Sequence, residues 1–271
     1  MNNKESTIYL AIKAAVATLA IACPTALAIS LPLTYLITSL ILLKGKIVIN
    51  NSEQLSNFSK VKYILFDKTG TITEDVLVVK EIEGDQKYIS IAKGLEKNID
   101  HPIAKSISNL DGKVAKIKNI KQKDNEITGE FNNKIYTIGT FKENDKPYTA
   151  IALYENKNLK VVFYLENKIK DNVKETIKYL KKKYKVLMVT GDNSIIANDI
   201  AKRIGIDKVY SEVSPNEKFK IVKRLKKNGG VVFVGDGFND ALAIKSSDIS
   251  IAFASGSELT NSIADVITLH R

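Results

Sequence analysis

Three short apolar runs in this chain each end on an aspartate. Residues 63–66 run into Asp67, 186–189 into Thr190, Gly191 and Asp192, and 231–234 into Gly235, Asp236 and Gly237. Four consecutive apolar residues bounded by turn formers suit a strand buried on both faces, as in a parallel sheet. Helix-period stretches at 172–184, 194–204 and 216–227 lie among these runs. Strand and helix in alternation predict an α/β fold built on a Rossmann-like parallel sheet. Such sheets bind ligands outside the carboxyl ends of their strands, where all three aspartates would stand.

Residues 76–165 have another texture. One helical stretch, 88–110, precedes strand-like pieces around 134–138, 148–154 and 159–165. This reads as a small α/β domain inserted after the first strand, with 49–75 and 166–271 forming one domain around it. Ahead of both, residues 14–43 carry no charge. About 30 residues rising 1.5 Å each make roughly 45 Å of helix, more than a bilayer core requires. Residues 1–48 are therefore predicted to hold one N-terminal transmembrane helix, with Lys44 and Lys46 setting the later domains on the cytoplasmic side. The run continues through Pro24 and Pro32 with no cleavage-site pattern, unlike a secretory signal. The single cysteine, Cys23, excludes an internal disulfide and suits a reducing compartment. The net charge is +11, but the lysines are spread along the chain instead of clustering with aromatics. They read as solvated helix faces, and nucleic acid is not an expected partner.

Asp67 opens the string DKTGTIT. A carboxylate on a tight strand-to-loop turn can attack a terminal phosphorus while neighbouring amides hold its oxygens. Alone, the same residues would also serve as a helix N-cap and a turn glycine. Residues 235–240, GDGFND, carry two carboxylates suited to Mg²⁺. With MVTGDN around 190–192 and Lys218 in SPNEK following in order, the chain resembles the P-type ATPases of the haloacid dehalogenase superfamily. That resemblance implies ATP as substrate and Mg²⁺ as cofactor. It makes Asp67 the phosphorylated nucleophile, flanked by Lys68 and Thr69, and makes Thr190, Gly191 and Asp192 the second phosphate loop. Lys218 becomes the neutralising lysine, Asn239 completes the set, and Asp67, Thr69, Asp236 and Asp240 are the Mg²⁺ ligands. Phosphatases of this superfamily place a second acid two residues after the nucleophile, where this chain has Thr69. Without that general base the aspartyl phosphate is expected to persist.

Within LEKNIDHPIAKSI, Glu96, His101 and Pro102 resemble the adenine-binding helix of heavy-metal P-type ATPases, with Gly139 as a further nucleotide contact. An imidazole can stack on or hydrogen-bond to a purine, and Pro102 fixes the backbone beside it. Two departures from that pattern stand out. Asp124, Asn125 and Glu126 occupy the place of a Gly-x-Gly loop, and Asn167 that of a hinge aspartate. Cys23, Pro24 and Thr25 resemble the Cys-Pro-x signature of the same class, which implies a soft transported cation, Cu⁺ or Zn²⁺, met by the Cys23 thiolate. A buried structural cysteine is the plainer reading of Cys23 by itself. Thr128, Gly129 and Glu130 spell the TGE of the pumps' actuator domain, yet fall inside the insert, so they are set aside.

The resemblance starts at the Cys-Pro helix and implies ATP-dependent heavy-metal transport at a membrane. An actuator and the remaining membrane half are expected from another polypeptide. A membrane-anchored phosphatase and a non-catalytic regulatory module are the other readings.

Overall fold

The computed structural model describes residues 3–22, 24–123 and 126–269, so Cys23, Asp124 and Asn125 lie outside the described residues. The chain runs α1 (Asn3–Ala22), α2 (Thr25–Lys44), β1 (Ile47–Ile49), β2 (Val61–Asp67), β3 (Thr73–Gly84), α3 (Ile89–Glu96), α4 (Pro102–Ser108), β4 (Lys118–Lys123), β5 (Glu126–Phe131), β6 (Lys134–Thr140), β7 (Thr149–Glu155) and β8 (Asn158–Ile169). It continues through α5 (Val173–Leu180), β9 (Lys185–Val189), α6 (Ser194–Ile204), β10 (Lys208–Tyr210), α7 (Pro215–Lys226), β11 (Gly230–Val234), α8 (Ala241–Ser246), β12 (Ile249–Phe253), α9 (Glu258–Ile263) and β13 (Val266–Thr268).

The larger sheet has the order β1-β13-β12-β11-β2-β9-β10. Its neighbours pair in parallel except β1, which runs against β13. Its central strands are continuously apolar because both faces are covered. Along β9, Leu187 and Val189 pack with Ile221 and Leu225 of α7, while Val186 and Met188 pack with Ile177 of α5 and Ile200 of α6. Fully burying a side chain of this size stabilises by about 1.5–3 kcal/mol, and Leu65, Val189 and Phe233 are all fully buried. Local signals start the flanking helices. Asn193 accepts from the amides of Ile195 and Ile196 at 2.8 and 3.2 Å, and Gly205 at φ +82° ends α6. Ser214 and Glu217 form a reciprocal capping box with Pro215 in the first turn, which sets Lys218 one turn into α7.

The second sheet, β3-β8-β7-β6-β5-β4, is antiparallel throughout. α3 and α4 cover one face, with Leu95 and Ile107 against Ile138, Leu153 and Phe163. Gly129 is a packing residue here: a β-carbon on it would lie 2.4 Å from Ile117 Cγ2 and 2.8 Å from Leu95 Cδ2. The TGE string therefore serves helix-on-sheet contact within β5.

Two expectations are corrected. The single helix expected over 88–110 is two helices, because His101, preceding Pro102, is driven to an extended φ of −141° and caps α4. The single apolar helix expected over 14–43 is likewise two, broken ahead of Pro24, since proline has no amide hydrogen and clashes with the preceding turn. α1 contains Lys4, Glu5 and Lys13. Among the described residues no helix is long and apolar enough to cross a membrane.

Candidate functional site

β2 delivers Asp67 to the carboxyl edge of the larger sheet between β11 and β9, opposite Val189. The carboxylate is buried. Lys218 donates to Asp67 Oδ1 at 2.5 Å and to Asp240 Oδ1 at 2.7 Å, so one ammonium bridges two buried carboxylates. Burial and the neighbouring Asp240 push the Asp67 carboxyl up to about 7 against the pull of Lys218. Burial drags the Lys218 ammonium down, but the two aspartates outweigh it and hold its proton more firmly than usual. These groups line a cavity of about 450 Å³ with Thr69, Thr190, Gly191, Asp192, Asp236 and Asn239.

The turn after Asp67 requires glycine. Gly70 has φ +71°, and its α-carbon faces the Asp236 side chain at a distance no β-carbon could occupy. Asp236 is fixed from the other side: its carbonyl accepts from the Ser257 amide at 2.9 Å, and Gly256 approaches its backbone closely. At the end of β9, Thr190 Oγ1 accepts from the Asp192 amide at 3.1 Å, which leaves the hydroxyl hydrogen to donate elsewhere.

Two expected roles do not match the geometry. Lys68 does not line the cavity. Its ammonium lies 3.0 Å from Asn167 Oδ1 and 2.5 Å from Asp192 Oδ2, tying the end of β8 to the loop after β9. Asp240, expected as a Mg²⁺ ligand, instead holds Lys218 through Oδ1 and accepts from the Gly237 amide through Oδ2. Among the described residues no group of three His, Cys, Asp or Glu side chains is set to hold a metal ion. The fit to Mg²⁺ is still good on charge and donor type. Asp67 and Asp236 line the cavity beside the Thr69 hydroxyl, and Mg²⁺ characteristically takes one or two carboxylates, completing its shell with phosphate and water.

A second cavity of about 240 Å³ opens between α3, α4 and β4–β7. It brings Glu96, His101 and Gly139 together, with Pro102 adjacent as the first residue of α4. His101 Nδ1 accepts from the Ile103 amide at 3.3 Å, so a neutral ring carries its hydrogen on Nε2. Gln122 and Thr140 also line this cavity, polar residues on strands with no sequence signal to single them out. In the first cavity, Ser255, Gly256 and Ser257 are further residues missed from sequence. They follow the apolar run of β12, and the run-plus-turn pattern that marked the other strand ends would have found them.

A family model described as haloacid dehalogenase-like hydrolase matches residues 61–248. The chain is 33% identical over 288 residues to a probable copper-importing P-type ATPase A of Enterococcus hirae, covering 96% of this chain and 40% of that protein. It is 30% identical over 290 residues to a copper-exporting P-type ATPase of Staphylococcus saprophyticus, covering 96% and 36%. It thus spans about two fifths of the length of these relatives. The solved catalytic domain of the CPx-ATPase CopB-B superposes with a TM-score of 0.77 at 28% identity, over 84% of this chain and 93% of that domain.

Proposed function

The chain belongs to the haloacid dehalogenase-like hydrolases, and with P-type ATPases as its relatives we propose that it is the ATP-hydrolysing core of a heavy-metal pump, phosphorylated on Asp67. The observation that carries this reading is the buried Asp67 at a central strand end, ion-paired to Lys218 inside a cavity lined by Thr190, Asp192 and Asp236.

The ionised Asp67 oxygen attacks the γ-phosphorus of ATP, the bond from that phosphorus to the β–γ bridging oxygen breaks, and ADP leaves with the electron pair. An acyl phosphate remains on Asp67 until water cleaves it to phosphate and the free carboxylate. Lys218 offsets charge on the phosphoryl oxygens as they pass, and the Thr190 hydroxyl is free to donate to one of them. Asp240 positions Lys218. Asp67, Thr69 and Asp236 would hold Mg²⁺, which when bound neutralises phosphate charge. Thr69, exposed at the cavity, offers no base to activate water, which favours a persistent intermediate over a phosphatase cycle.

Residues 76–165 serve as the nucleotide-binding part, with the purine in the second cavity against Glu96, His101 and Gly139. Transport is a property of the assembled pump, most of which lies beyond the two fifths that this chain spans, and its catalytic part works on the cytoplasmic side, where ATP is. The cargo is a soft cation, Cu⁺ or Zn²⁺, with Cu⁺ favoured by the names of the relatives.

The test is acid-quenched labelling with γ-labelled ATP and Mg²⁺ on the chain and on Asp67→Asn. A hydroxylamine-labile label lost in the variant is expected. Folded protein that takes up no label at millimolar ATP would overturn the reading.

A further inference from the structure

The apolar cores of the two sheets are separate. Among the described residues, the buried clusters of the smaller sheet draw on residues from Leu77 to Leu165, and those of the larger sheet draw on residues outside that stretch. Apolar packing therefore does little to fix the angle between the sheets, which is left to the paired strands β3 and β8 and to the polar contacts beside them. Two of those contacts leave adjacent residues of β8, Glu166 and Asn167, and so leave opposite faces of the strand.

Glu166 Oε2 accepts from Arg203 Nη1 at 2.7 Å. Arg203 stands on the outer side of α6, whose Ala197, Ile200, Ala201 and Ile204 are buried against the larger sheet. The pair thus runs from a strand of one sheet to a helix anchored on the other. The Glu166 side chain is 11% exposed, and its second oxygen lies 2.9 Å from the Lys80 ammonium. The register of β3 against β8 slips at Lys80, with Val79 opposite Leu165 and Glu81 opposite Tyr164, and an extra residue of this kind re-aims a side chain. Lys80 and Glu166 belong to the same sheet, so of the two cations Arg203 is the one that crosses. On the other face of β8, Asn167 accepts from Lys68, next to Asp67, and the Lys68 ammonium also lies 2.5 Å from Asp192 Oδ2. The arrangement that seats Glu166 on Arg203 is therefore one in which the neighbouring residue reaches both the turn after β2 and the loop after β9.

We propose that Glu166 and Arg203 are positioning residues for phosphoryl transfer, an ion pair that holds the smaller sheet at the angle from which its nucleotide meets Asp67. This rests on the smaller sheet carrying ATP and on Asp67 being the phosphorylated group. Neither residue lines the cavity of Asp67 or that of Glu96 and His101, so the pair acts on approach and not by touching substrate. Without it the paired strands sample a wider range of angles, and time spent misaligned lowers the rate of transfer while the hold on the nucleotide is unchanged. A lysine at 203 keeps the charge but loses the planar fork, so it restores the pair in part.

The experiment compares two quantities in the full chain: affinity for a non-hydrolysable β,γ-imido analogue of ATP by calorimetry, and the single-turnover rate of labelling at saturating γ-labelled ATP and Mg²⁺. The variants are Arg203→Gln, Glu166→Gln, the two together, Arg203→Lys and Lys80→Gln. Affinity should stay within about twofold of wild type throughout. The labelling rate should fall about fivefold in either neutral single variant, near the most that an ion pair of this exposure can supply. The double variant should fall no further, Arg203→Lys should recover part of the rate, and Lys80→Gln, which keeps the crossing pair, should label as wild type does. An unchanged or faster rate in Arg203→Gln, losses that add in the double variant, an equal loss in Lys80→Gln, or a loss matched in affinity overturns the inference while Asp67 chemistry stands. A folded wild-type chain that takes up no label overturns instead the functional reading on which the inference rests.

Discussion

A β-carbon on Gly70 would stand 2.2 Å from Oδ2 of Asp236, so the turn that follows Asp67 is closed against the loop after β11. Gly70→Ala must push that carboxylate away and hold an L-residue at φ +71°. The conformational term alone costs about 1–2 kcal/mol. The variant should lose phosphorylation while unfolding at lower urea, and retained labelling would show that Asp236 can move without consequence.

Lys218 bridges Asp67 and Asp240. Removing one partner of a buried ionic cluster leaves the rest uncompensated, at a cost of about 3–5 kcal/mol. Lys218→Met should show that loss in denaturant titration at neutral pH. Adding Asp240→Asn should recover part of it, because a buried carboxylate is then removed along with the ammonium.

Asp67→Asn acts differently. The ionised Asp67 is held against burial and the neighbouring Asp240, so a neutral amide of the same shape relieves both. The variant should be inert to ATP labelling yet unfold at equal or higher urea above about pH 8, where the wild-type carboxylate is charged. A large loss of stability would contradict the site as described.

Thr69 lies at the cavity, exposed, two residues beyond Asp67. Thr69→Asp supplies a carboxylate where a general base could act on water. Dephosphorylation should accelerate by about 10²-fold, read as a shorter lifetime of the label after a chase with unlabelled ATP. An unchanged lifetime would mean that water access, and not the missing base, protects the acyl phosphate.

Glu96 also links stability to pH. Its carboxyl is raised from 4.5 to about 7 in the folded chain, so the folded state binds more proton than the unfolded state between those values. Its contribution is therefore most favourable below about pH 4.5, declines as pH rises towards about 7, and is level above that. The full difference is on the order of 3 kcal/mol. Subtracting the profile of Glu96→Gln from that of the wild type isolates it from Asp67, and a flat difference would refute the assignment.

What the sequence disclosed depended on how local the physics was. The strand ends at Asp67, Asp192 and Asp236 were legible because burial on both faces demands an unbroken apolar run, and a run that stops on a carboxylate marks the edge of the sheet. β3, β4 and β5 were not legible. β4, KNIKQK, and β5, EITGEF, carry little apolar signal, whereas β3 holds an apolar run at residues 76–79 that does not end on a turn and a carboxylate as the others do. The roles of Lys68 and Asp240 could not be read because both depend on partners far along the chain, Asn167 for one and Lys218 for the other. The break at His101 and Pro102 was readable from proline chemistry and had been overridden by the helical period on either side.

β3 and β8 leave and return to the larger sheet as paired neighbours, with Thr73 opposite Ile169 at the base and Gly84 opposite Val161 at the tip. Entry and exit points that already touch make the six-stranded sheet a cassette. Cutting it out near the base leaves two ends that a short hairpin turn can join, with little loop-closure entropy to overcome. The parallel sheet would then stand by itself with its strand-end aspartates in place, and the excised sheet as a separate unit that could be grafted onto another host at two adjacent antiparallel strand ends.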